Sequence, residues 1–165
     1  MTTNETKIVA EPGKQEFFII REFEAPRELV FRAFTDPTMY VQWLGSPGSS
    51  TMTLESFEPE GNGKWRYILT NQKGDTHAFH GVYHEVIAPE LIINTFEFEG
   101  LPEKGHVCLE TVRFEQLAGG RTRLASQSIF QSVADRDAMI QSGMDEGVYA
   151  SYNRLAALLK KMAMH

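Results

Sequence analysis

The order of elements predicts an α+β protein: a curved antiparallel sheet of about six or seven strands around one long C-terminal helix, with two short helices after the first strand. Two observations carry this. From Thr51 to Phe130, runs rich in β-branched and aromatic residues alternate with short Gly, Pro and Asn turns, the pattern of consecutive antiparallel strands. After them, Ile140, Met144, Val148, Tyr152, Leu155, Leu159 and Met162 recur at three- and four-residue steps, which stacks them on one side of a helix. A single sheet needs its apolar face covered, and only this terminal segment is long enough to cover it.

Taken in order, residues 1–14 are polar and end in Pro12-Gly13, so they are expected as a flexible arm ahead of a single domain over residues 15–165. Phe17 to Phe23 reads as a strand, ended by Ala25-Pro26. Pro26 fits the first turn of a helix whose apolar side is Leu29, Val30, Ala33 and Phe34. Thr35-Asp36-Pro37 restarts the chain as a second short helix through Tyr40 to Leu44, and Gly45 to Ser50 reads as a flexible loop. Strands follow over Thr51–Glu58, Lys64–Thr70, His77–Ile87, Leu91–Phe98, Val107–Gln116 and Thr122–Phe130.

Ser132 to Met162 is expected as one rod, roughly 45 Å long at the α-helical rise. Ser132 with Asp135 resembles a capping box, and Lys160, Lys161 and His165 close the far end. Gly143 and Gly147 interrupt it, each costing on the order of 1 kcal/mol against Ala. They leave room either for a ligand or for close packing of the helix on the sheet.

Composition narrows the function. Apolar residues at 42% and charged residues at 23% are ordinary for a globular chain. The net charge of −6, with no basic cluster, argues against nucleic-acid binding. A lone cysteine excludes an internal disulfide, and no run reads as a signal peptide or membrane span, so a cytoplasmic protein without a membrane partner is expected. No motif calls for a cofactor. Exposed apolar edges would suit a homodimer.

Several strings carry a family resemblance: Ala25-Pro26 with Val30-Phe31-Arg32-Ala33-Phe34-Thr35-Asp36-Pro37, Trp43 before the Gly-rich loop, Gly63-Lys64-Trp65-Arg66-Tyr67, Gly81 through Glu90, and Gly147 through Leu155. In this order the chain resembles single-domain proteins similar to the C-terminal domain of the heat-shock-protein ATPase activator, the AHSA-like branch of the START-related SRPBCC superfamily. The resemblance covers residues 15 to 162 and implies the helix-grip fold, in which a bent sheet closes on the terminal helix and leaves a pocket. Val148 stands where members often carry Trp, and the chain has one Trp rather than two before the loop.

The chemistry-bearing residues are then weighed on their strands. His77, His80 and His84 are spaced so that no two could chelate one ion from a strand, and no metal site is expected. Glu97 and Glu99 share a face, but Glu110 is the preferred acid, because its face continues through Val112 and Phe114 toward the core. Cys108 reads as a small core residue without an activating base, and no nucleophile motif is present. Trp65 and Tyr67 share one face, as do Phe79 and Tyr83, and with Trp43, Phe96, Met139, Gly143 and Met144 they form the expected wall of a cavity. The leading expectation is binding of a small hydrophobic or aromatic molecule there. The alternatives are a polyketide cyclase- or dehydratase-like enzyme using Glu110 as its acid or base, and a chaperone ATPase-regulating interaction module.

Overall fold

The computed structural model of the chain describes residues 4–44 and 50–163. In chain order its elements are β1 (Lys7–Val9), β2 (Glu16–Phe23), α1 (Arg27–Thr35), α2 (Pro37–Trp43), β3 (Ser50–Phe57) and β4 (Lys64–Asn71). They continue with β5 (Thr76–Ile87), β6 (Leu91–Phe98), β7 (Val107–Leu117), β8 (Arg121–Ile129), α3 (Val133–Gln141) and α4 (Met144–Ala163). The strands form one antiparallel sheet in the order β1-β2-β8-β7-β6-β5-β4-β3. The expected α+β helix-grip architecture is present, with an eighth strand added.

That eighth strand lies in the arm expected to be loose. Lys7, Ile8 and Val9 pair with Ile20, Ile19 and Phe18 of β2. A three-residue strand in a polar stretch gives no period to read, and it forms because β2 offers a free edge. Arg21 fixes the segment further, donating from Nη1 to Thr6 Oγ1 at 3.2 Å and to Asn153 Oδ1 of α4 at 2.7 Å.

The expected single terminal rod is two helices. Gly143 has φ +86°, a left-handed conformation that ends α3 and lets α4 start at Met144. The apolar stripe runs across the break in phase, so helical periodicity alone does not reveal it. Ser132 caps α3 as expected, its Oγ accepting from Asp135 N at 3.0 Å. At 20 residues, α4 is about 30 Å long and buries Tyr152, Leu155 and Leu159.

The helix pair α1 and α2 closes one end of the groove. Asp36 caps α2, accepting from Thr38 N at 2.9 Å, and Pro37 sits in its first turn. Buried Trp43 donates from Nε1 to Ala33 O at 2.8 Å, which ties α2 back onto α1. The last α2 carbonyls are taken by Arg154 of α4, to Trp43 O at 2.9 Å and Leu44 O at 3.4 Å. The loop expected at 45–50 falls outside the described residues apart from the backbone of Ser50, which begins β3.

The inner face of the sheet follows the alternation of its strands. Phe17, Ile19 and Phe23 of β2 are buried, as are Leu124, Ser126 and Ser128 of β8. Register shifts between Leu54 and Ser56 in β3, and between Tyr83 and Glu85 in β5, mark bulges of the kind that bend a sheet.

Candidate functional site

The strand register assembles a polar row that no single strand contains. Tyr83 of β5 pairs with Asn94 of β6, Asn94 with Glu110 of β7, and Glu110 with Ser128 of β8. All lie on the inner face, beneath the C-terminal helices. Around this row runs a hollow of about 260 Å³. Its aromatic wall includes Tyr40, Trp43, Trp65, Tyr67, Phe96 and Tyr152, closed by Met139, Met144 and Val148 from α3 and α4.

Two wider recesses adjoin it. One, of about 580 Å³, runs between Leu69, His77, Phe79 and Phe98 of the sheet and Gly147, Ala150 and Arg154 of α4. The other, of about 420 Å³, lies under the β6–β7 loop between Leu101, Pro102 and His106 and the α3 residues Asp135 and Ala138. Phe96 and Met139 are walls of all three spaces.

Of the residues expected in the wall, Trp43, Trp65, Tyr67, Tyr83, Phe96, Met139 and Met144 line the inner hollow, together with Glu110. Phe79 lines the 580 Å³ recess instead. Gly143 lines none of the three; it serves the turn between α3 and α4, and a Cβ there would meet nothing within 4 Å. Gly147 borders the 580 Å³ recess. Sequence reasoning missed Asn94, Ser126, Ser128 and Tyr40 as lining groups. The polar inward positions of β6 and β8 had a signal in the strand alternation, whereas Tyr40 comes from a separate helix.

Packing holds the aromatic wall upright. Trp65 and Tyr67 stack with centroids 5.3 Å apart, Tyr67 meets Phe79 at 5.1 Å, and Phe79 meets Phe96 at 5.4 Å. Trp65 can lie this flat because its register partner is Gly81. A Cβ at Gly81 would stand 1.9 Å from Thr95 O and 2.7 Å from the indole Nε1.

Glu110 is enclosed by protein yet keeps some accessible surface, because it faces the hollow. Burial raises its carboxyl above the ordinary range, opposed by hydrogen bonds with Asn94 and Ser128. Asn94 Nδ2 is committed twice, to Glu110 Oε1 at 3.1 Å and to Thr95 O at 3.1 Å. No Lys, Arg or His lines the inner hollow among the described residues, so no cation there offsets the acid. The phenols of Tyr40, Tyr67, Tyr83 and Tyr152 are all pushed up, first by burial and then by neighbouring acids, Glu110 among them. Burial likewise pushes the Cys108 thiol up, which disfavours the thiolate.

The other candidate carboxylates face away. Glu99, on the outer face, receives Arg66 Nε at 2.8 Å and Nη2 at 3.0 Å and contacts His80 Nδ1 at 2.9 Å. The Arg66 hydrogen bonds hold its carboxyl at about 2. Arg66 also pairs with Glu55, and Glu97 lies 3.3 Å from His80 Nε2. At the 420 Å³ recess, His106 Nδ1 lies 3.0 Å from Asp135 Oδ2 and its Nε2 lies 3.3 Å from Glu103. The Asp135 hydrogen bond, more than that of Glu103, raises the His106 pKa. Among the described residues, no group of three or more His, Cys, Asp or Glu is placed to hold a metal ion. No helix among them is long and apolar enough to cross a membrane.

The fold recurs in solved structures. A Rhodobacter sphaeroides protein is 26% identical with a TM-score of 0.84, over 95% of this chain and 99% of that one. The solution structure of an Arthrobacter aurescens protein is also 26% identical, with a TM-score of 0.83, over 94% of this chain and 91% of that one. An AHSA1 protein from Silicibacter pomeroyi shares the fold at 20% identity, with a TM-score of 0.73 over 89% of this chain and 99% of that one. No curated protein is significantly similar in sequence. Residues 24–160, from the end of β2 to the last turn of α4, match the family described as Activator of Hsp90 ATPase homolog 1-like protein, and the chain belongs to that family.

Proposed function

We propose that this chain binds a small hydrophobic or aromatic molecule in the hollow between the sheet and the C-terminal helices. The observation that carries the reading is the inner hollow itself, about 260 Å³, walled by aromatic side chains and flanked by two larger recesses that share Phe96 and Met139. Apolar burial supplies the affinity, and the few polar groups fix orientation. Both tryptophans of the chain, Trp43 and Trp65, stand in the wall, so their fluorescence reports on occupancy. Titration with a neutral aromatic such as tetralin should change that emission saturably. Val148→Phe, which pushes a ring into the space from α4, should abolish the change while circular dichroism stays native. Unaltered binding in a folded Val148→Phe variant would count against the pocket.

A second reading draws on one observation, the buried acid at Glu110 with no cation lining its hollow among the described residues. A carboxyl whose proton is held more tightly because of burial suits general acid–base work, so an enzyme in the manner of polyketide cyclases is the alternative. Turnover of an aromatic polyketide-like substrate, lost in Glu110→Gln, would favour it; equal turnover in that variant would dispose of it. The buried lone Cys108 needs no oxidising compartment, which suits a cytoplasmic setting.

A further inference from the structure

We infer that the molecule held in the inner hollow is a neutral, compact apolar one that presents a hydrogen-bond-accepting oxygen, a ketone or similar carbonyl, to Glu110 and the phenols around it. This rests on the binding reading above and adds the chemical class of the ligand.

The groups that face Glu110 come from every side. Tyr40 of α2, Tyr67 of β4, Tyr83 of β5, Cys108 of its own strand β7 and Tyr152 of α4 line the same hollow and feel the Glu110 charge, while α3 contributes the apolar Met139. An anionic ligand would enter this space without a cation among the described residues to meet it, beside an acid and four phenols. A ligand that brings only donors competes for Glu110, whose Oε1 already accepts from Asn94. What the hollow can turn toward a ligand is a set of O–H donors from the phenols that line it. Each phenol is a neutral donor, since ionising it in this enclosure is opposed by burial and by the other acids. The Glu110 carboxyl, without a cation beside it, keeps its proton into a higher pH range and is then a donor too. Donors converging in an apolar enclosure are complementary to oxygen lone pairs, and a carbonyl fills that role without bringing a charge or a proton of its own.

Size points the same way. At about 260 Å³ the inner hollow lies at the low end of ligand cavities, so it suits a one- or two-ring body rather than a long chain. A substituent longer than that must pass Met139 or Phe96 into one of the adjoining recesses.

The test uses the full-length protein and three probes of one skeleton: tetralin, α-tetralone and α-aminotetralin. Calorimetric titration gives the affinity of each at steps from about pH 4, near the free carboxyl value, up to about pH 9. The ratio of ketone to hydrocarbon affinity should fall about tenfold in Glu110→Leu, which keeps the bulk and removes the donor. It should fall similarly in Tyr83→Phe and survive in Glu110→Gln, whose amide still donates. In the unmutated protein the same ratio should decline as pH rises and Glu110 ionises. If tetralin binds and the ratio is unmoved by Glu110→Leu and by pH, the carbonyl inference is overturned and the apolar pocket stands. Tighter binding of the amine, strengthening with pH and lost in Glu110→Gln, overturns it in favour of an organic cation. Failure of all three probes removes the inference together with the pocket.

Discussion

Asn94 and Glu110 are register partners on β6 and β7, and the Asn94 amide donates to Glu110 Oε1 at 3.1 Å across the inner face of the sheet. The bond satisfies one carboxylate oxygen without neutralising the charge, in a hollow lined by no cation among the described residues. The acid therefore remains at odds with its surroundings whenever it is ionised.

That conflict has a pH signature. Burial raises the Glu110 pKa above its unfolded value, near 4.5, so the folded state binds the proton more tightly. Below the unfolded value both states are protonated and nothing is lost. As pH rises from there through the raised folded value, the unfolded chain ionises first, and stability falls. Glu110→Gln should therefore be more stable than the unmutated protein at about pH 8, with the difference closing at about pH 4. Urea denaturation at the two pH values measures it, and a pH-independent difference would contradict the assignment.

Gly81→Ala tests the packing of the aromatic wall. Its Cβ would stand 1.9 Å from Thr95 O, a backbone atom of the next strand, and 2.7 Å from the Trp65 indole. Neither neighbour can yield without parting β5 from β6 or tipping Trp65 out of its stack. A loss of about 3 kcal/mol is expected by chemical denaturation, with a changed near-ultraviolet spectrum from the displaced indole.

The two glycines of the terminal segment should respond oppositely. Gly143 at φ +86° is strained by any side chain, and Gly143→Ala should cost about 1–2 kcal/mol although the space around it is open. Gly147 is helical, exposed and equally open, so Gly147→Ala should gain up to about 1 kcal/mol. Thermal denaturation of the pair separates the roles. Matching shifts would mean that the break between α3 and α4 is wrongly placed.

His106 joins the β6–β7 loop to the first turn of α3 through Asp135, and this hydrogen bond raises its pKa. The sign is that of a cation gaining a partner: the tether is complete below the unfolded value, about 6.5, and is lost as pH rises through the higher folded one. Amide exchange in residues 100–106 should accelerate as the solution is taken above neutrality, and His106→Gln should flatten the change. Exchange that does not vary with pH, after correction for its intrinsic rate, would show that the contact does not hold the loop.

The sequence by itself determined the strands, the two short helices, the cap at Ser132 and the inward phase of Trp65, Tyr67 and Glu110. Those features follow from local periodicity and turn chemistry, which any short window of the chain contains. Only the tertiary structure decided that Lys7–Val9 joins the sheet, that Gly143 divides the terminal helix, and that Tyr83, Asn94, Glu110 and Ser128 stand in one row. It also sent Phe79 to the adjoining 580 Å³ recess and brought Tyr40 from α2 and Tyr152 from α4 into the wall of the inner hollow. Strand register and helix placement are set by pairing between residues far apart in the chain, and such pairing leaves no period in the sequence of either partner.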